Sequence, residues 1–158
     1  MPALVDNGLP GSPNLSNLLQ RFYTPGIMLA PHVLSGIQNL CLNASKGCAL
    51  ACLNTAGQGG LGISNASQIL FGDTNEKQES RRRKAILFFF KPEEFKDILV
   101  RAIEKEGNKA AKAGIGYGVR LNVLSDWSWE SERYDGTRIM ELFGNVPFYD
   151  YTKIGARM

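Results

Sequence analysis

The residues of this chain best equipped for chemistry are three cysteines in one short stretch. Cys41, Cys48 and Cys52 are the only cysteines in the protein, spaced C-x6-C-x3-C. Three neighbouring thiolates suit a soft metal site, either an iron–sulfur cluster or zinc. Three sulfur ligands hold a three-iron cluster completely, or a four-iron cluster with one iron left open to another ligand. The glycine-rich run Gly57-Gln58-Gly59-Gly60-Leu61-Gly62 follows directly. Its backbone amides are placed to hydrogen-bond cluster sulfurs. The same run spells G-x-G-x-x-G, but it follows a cysteine loop rather than a strand, so it reads as a flexible loop and not a dinucleotide site. The plain alternative for the cysteines is three small apolar core residues. The Asn, Ser and Gly around them favour a ligand loop. Zinc is the rival metal, with His32, the single histidine, as fourth ligand. The paired C-x2-C knuckles of structural zinc sites are absent.

A second polar set comprises Arg120, Asn122, Asp126 and Lys153. Residues 117–124 alternate as a strand, with Tyr117, Val119, Leu121 and Val123 on one face and Arg120 and Asn122 on the other. Asp126 lies just past its carboxyl end, and Lys153 just past a second strand at 147–152. Ligand sites in parallel sheets lie at the carboxyl ends of strands. This set is therefore the candidate second shell or ligand-binding group around the cysteines. The alternative role is a hydrogen-bond network closing the sheet end. Arg81-Arg82-Arg83-Lys84 reads as a solvated helix face, with helical geometry able to turn one member inward. Trp127 and Trp129 read most simply as core. No Ser–His–Asp arrangement is evident, and no catalytic residue is assigned.

The elements that must position these groups follow from periodicity. Residues 1–25 are rich in Pro, Gly, Asn and Ser and read as an irregular arm, with a short helix near 15–22. Residues 26–30 form an apolar run, read as a strand. Residues 65–90 turn helical, with a break near Gly72-Asp73. Pro92 with Glu93 and Glu94 marks a new helix start. Phe95, Ile98, Leu99, Ala102 and Ile103 share one helical face, and the helix should stop before Gly114. Residues 137–143 suggest another short helix. Strands separated by helical crossovers imply a parallel α/β sheet with right-handed connections. Three or so strands cannot close an eight-stranded barrel, so an open sheet resembling a partial TIM-type barrel is expected. It would be a single domain over 1–158, with 26–153 forming the α/β region. Its open edge would be covered by homo-oligomerisation.

The chain has 158 residues and a formal charge of +3. That charge is too mild and too local to suggest a nucleic-acid binder. No apolar run reaches membrane-spanning length, and the first residues lack the pattern of a signal peptide. Three closely spaced cysteines fit a reducing cytoplasm better than a secreted disulfide framework.

Several segments resemble the bacteriophage gene product 88 family in this order: Leu40-Cys41, Gly47-Cys48-Ala49-Leu50-Ala51-Cys52-Leu53-Asn54-Thr55-Ala56-Gly57, the Arg-rich helix ending Phe88-Phe89-Phe90, Val119-Arg120-Leu121-Asn122 with Ser125-Asp126, and Phe148-Tyr149-Asp150-Tyr151-Thr152-Lys153. The resemblance covers about residues 26–153 and implies a phage origin, hence the host cytoplasm, but no activity. The layout also resembles part of a radical S-adenosylmethionine barrel. The cysteine spacing there is C-x3-C-x2-C, and a Gly-Gly-Glu-type segment follows the second strand. This chain has neither, which argues for a cluster without S-adenosylmethionine. The expected function is a small iron–sulfur protein in electron transfer or redox sensing, serving a redox partner protein. The alternatives are an enzyme binding substrate or S-adenosylmethionine at an open iron, and a zinc-stapled or metal-free interaction module.

Overall fold

The computed structural model describes residues 22–62 and 75–155. The expected arm and the 65–74 part of the helical stretch fall almost wholly outside these residues. Regular structure is mainly helical. The two long helices are α2, Glu76–Phe90, and α3, Pro92–Ala113. Short helices α1 (Lys46–Leu50) and α4 (Ile139–Leu142) lie on either side of them in sequence.

Helix α3 forms where its sequence signals place it. Pro92 occupies the first turn, Glu93 and Glu94 follow, and Gly114 closes the C-terminus with φ 65°. That left-handed geometry suits glycine because it lacks a Cβ. Helix α2 starts at Asn75, whose side chain accepts a hydrogen bond from the Gln78 amide. Helices α2 and α3 pack together through Phe88 and Phe95, whose ring centroids lie 5.2 Å apart. Trp129, fully buried, joins both rings, and Trp127 meets Phe88 edge-on. Both tryptophans thus belong to the core. Leu29, Leu34, Leu40, Leu121 and Ile139 complete it.

The expected open, partial TIM-type parallel sheet is not present. Among the described residues there are two small two-stranded sheets. One is parallel, pairing β1 (Phe22–Tyr23) with β2 (Gly116–Tyr117). The other is antiparallel, pairing β3 (Arg133–Tyr134) with β4 (Thr137–Arg138). Beyond β1 and β2, pairing survives only as single parallel bridges, Gly26 with Arg120 and Val119 with Phe148. The three segments meet side by side at these bridges, but pairing fades at Asn122, past which the Val123 amide reaches the Ile27 carbonyl only at 3.4 Å. The Asn122 side chain hydrogen-bonds the backbone N–H and C=O of Trp127 and folds the chain into a turn. Such local capture competes directly with a strand ladder. A radical S-adenosylmethionine-type barrel has no support in this architecture. The open sheet edge expected to be covered by self-association is not present among the described residues.

The β3–β4 hairpin is a feature that apolar periodicity missed. Its turn is Asp135-Gly136, both at positive φ (48° and 80°). Asp-Gly between short β-prone segments is a strong hairpin signal. The expected helix at 137–143 is correspondingly split, with β4 taking its first two residues and α4 the rest. No helix among the described residues is long and apolar enough to cross a membrane.

Candidate cysteine centre

The cysteine segment is held by polar contacts at its two ends and centre. Asn39 accepts the Cys41 amide through Oδ1 at 2.8 Å. Ser45 caps α1 by accepting the Cys48 amide through Oγ at 3.1 Å, which fixes where Cys48 projects. Cys52 precedes a 3-10 turn, Leu53–Thr55, whose Asn54 is fully buried.

All three cysteines are free and half-buried. Their charges act on one another and on one shared lysine. Cys52 interacts electrostatically with both Cys41 and Cys48, and Lys153 interacts with all three. The Cys41 sulfur accepts the His32 amide at 3.4 Å and takes a further backbone hydrogen bond from Asp126. Its thiol donates to the Leu124 carbonyl at 3.6 Å. Cys52 takes one backbone hydrogen bond, from Asn54. Burial raises the pKa of both Cys41 and Cys52, and these amides oppose that rise. Among the described residues no three His, Cys, Asp or Glu side chains are grouped to hold a metal ion.

The polar set read from the strand ends divides in two. Asp126 and Lys153 reach the cysteines. The Lys153 amide donates to Asp126 Oδ2 at 2.9 Å, pinning the C-terminal segment beside the centre. The neighbouring Cys48 thiol raises the Lys153 pKa. Arg120 and Asn122 sit one layer back. The Arg120 guanidinium lies over the Tyr151 ring at 4.9 Å. Its Nε is 4.0 Å from Asp150 Oδ1, close enough for attraction but too long for a hydrogen bond.

Asn122 is 1% exposed and spends all its capacity within the protein. Its Oδ1 accepts from Ser125 Oγ at 2.8 Å, the Trp127 amide at 3.0 Å and Trp129 Nε1 at 3.0 Å. Its amide nitrogen donates to the Trp127 carbonyl and to Asp150 Oδ2. This arrangement fits the network role considered for the strand end. Asn122 ties the aromatic core to the segment that carries Lys153.

His32 does not join the thiols by its side chain in any described contact. Its ring is buried, its Nε2 has no hydrogen-bond partner among the described residues, and burial lowers its pKa. Its backbone, at φ 37°, serves Cys41 instead.

Arg81 is the member of the basic run that turns inward. Its Nη1 donates to the Asn54 carbonyl and to Asn54 Oδ1, both at 2.8 Å, and its charge acts on Cys52. Helical spacing offered a clue, since Gln78, Arg81, Ala85 and Phe88 lie on one side of α2. Gln78 adds bonds to the Asn54 and Gly59 carbonyls, each at 2.6 Å. The glycine run therefore presents carbonyls to α2, and the sulfur-directed amides come from His32, Asn54 and Asp126. Gly59 is required by this contact, because a Cβ there would lie 2.6 Å from Arg81 Nη1.

No curated protein and no solved structure matches the chain significantly. A family model matches residues 7–158, which takes in the cysteines, Arg81, Asn122, Asp126 and Lys153 together. The chain belongs to the Gene product 88 family.

Proposed function

We propose that this protein is a small iron–sulfur protein whose cluster is held by Cys41, Cys48 and Cys52 and serves electron transfer or redox sensing. The observation that supports this reading is that Lys153, 101 positions beyond Cys52 in sequence, interacts electrostatically with all three thiols, with backbone amides directed at two of the sulfurs. Amide hydrogen bonds and nearby positive charge are the two means by which a protein stabilises an electron-rich cluster and raises its potential.

The donor set fits such a group. Cluster irons are bridged by inorganic sulfide, so the cysteine sulfurs need not crowd one ion. A single zinc ion instead draws its ligand sulfurs to about 2.3 Å from the metal. Cys41, Cys48 and Cys52 would hold either a complete three-iron cluster or a four-iron cluster with one open iron, and the Lys153 ammonium would offset the negative charge of the bound group.

The direct experiment is anaerobic purification followed by iron and acid-labile sulfide assay and a visible spectrum. A brown protein with matching iron and sulfide supports the cluster. A colourless protein that takes up neither, even after reconstitution with ferrous iron and sulfide, overturns it and leaves a metal-free or zinc-stapled interaction module.

A further inference from the structure

A cavity of about 370 Å³ opens between α2, α3 and the β1–β2 pair, separate from the cysteine centre. Its size lies at the lower end of the range of small-molecule sites, about 300–1,000 Å³. It exists because α3 carries more apolar surface than the core uses. Phe95, Leu99 and Ile103 are buried, yet Ile98, on the same face, is 52% exposed and lines the cavity with Ala102.

The polar groups on the wall are few and differ in one respect. Tyr117 donates its hydroxyl to the Ile103 carbonyl at 2.8 Å. Tyr23 donates to Glu106 Oε2 at 2.8 Å, and Lys109 lies 3.5 Å from the same carboxylate. The tyrosines and Glu106 are thus satisfied. Lys84 is half-buried on the wall, and no hydrogen bond or ion pair reaches it from any described residue. Burial and the neighbouring Arg81 charge both lower its pKa. An ammonium in apolar surroundings beside a second cation is costly until an anion joins it.

We infer that this cavity is a binding site for a monocarboxylate amphiphile, with the carboxylate paired to Lys84 and the alkyl chain laid along Ile98 and Ala102. Apart from the satisfied tyrosines and Glu106, the wall offers one unmatched positive charge and hydrocarbon, which complements an alkyl carboxylate of medium length. A neutral alcohol of the same length gains only the apolar contact. A cationic analogue meets Lys84 with the wrong sign.

The test is isothermal titration calorimetry of the full chain with decanoate, decan-1-ol and decyltrimethylammonium. Decanoate should bind saturably at one site, about tenfold or more tighter than decanol, the margin of a charge-assisted hydrogen bond. Lys84→Met should erase that margin and leave decanol binding unchanged. Ala102→Phe, which fills the cavity, should remove both. The idea is overturned if decanoate does not saturate, if decanol or the cation binds wild type as tightly, or if folded Lys84→Met retains the preference. The wild-type ligand series decides the matter by itself should either variant fail to fold.

Discussion

The cysteine segment and the paired long helices are built on opposite principles. Helices α2 and α3 bury Ala85, Phe88, Phe95, Leu99 and Ile103 in the core cluster that contains Trp129. Between Cys41 and Gly62, the described side chains include one buried group, the polar Asn54, while Leu42, Leu50, Leu53 and Leu61 are exposed. Apolar burial therefore folds the helical region, and directed polar contacts hold the cysteine segment upon it. The contact points are Asn54 with Gln78 and Arg81 on one side and Asp126 with Lys153 on the other. A segment without a core of its own can adjust to a bound group, and gains order from it.

This contrast can be broken or sharpened by substitution. Trp129→Ala strikes the helical region at its centre. It removes the ring that packs on Phe88 and Phe95 and a hydrogen bond to Asn122. A loss of about 3–5 kcal/mol is expected in denaturant unfolding. A loss below about 1 kcal/mol would mean that this core does not dominate stability.

Asn122→Ala tests the junction between the regions. It leaves the Trp127 amide and Trp129 Nε1 without their acceptor and cuts the tie to Asp150. The expected cost is about 3 kcal/mol, since stranding a buried polar group costs about 1–3 kcal/mol. Asn122→Asp should restore the acceptor bonds but not the donor bonds, and so recover only part of that loss.

Arg81→Met acts on the cysteine segment alone. It removes two hydrogen bonds to Asn54 and should cost about 1–2 kcal/mol. Limited proteolysis should cut near residues 53–62 much faster than in wild type, while helical circular dichroism is unchanged. Equal protection of that loop in both proteins would contradict the clamp.

The smallest effect is alkaline. Burial pushes the Tyr117 hydroxyl up to about 12. A phenol whose folded pKa exceeds its unfolded value of about 10 stabilises the fold fully below pH 10 and loses that contribution as pH rises toward 12. Urea midpoints should therefore fall between pH 10 and 12, and Tyr117→Phe should flatten the fall.

Helix α3 was legible from Pro92 to Gly114 because its start signal, periodicity and stop signal agree. The cysteines were legible as a group by proximity in sequence. Asp126 and Lys153 stand out in sequence as residues just past apolar segments, and both interact electrostatically with cysteines, although the parallel sheet expected to place them is absent among the described residues. Short parallel bridges were enough to bring those ends together. Asn122 was harder, because a polar residue alternating with apolar ones reads as a face of a strand. Its partners Trp127, Trp129 and Asp150 become visible only in three dimensions. Asp135-Gly136 was legible in principle, and the helical pattern of 137–143 hid it.

The central claim is that three cysteines act as one centre. Its most direct test is to reconstitute wild type and the single variants Cys41→Ser, Cys48→Ser and Cys52→Ser anaerobically, and to measure iron, sulfide and visible absorption for each. Wild type should bind a cluster, and every variant should lose most of its absorption while retaining helical circular dichroism. Full cluster content in all three variants, or none in wild type, would contradict the claim.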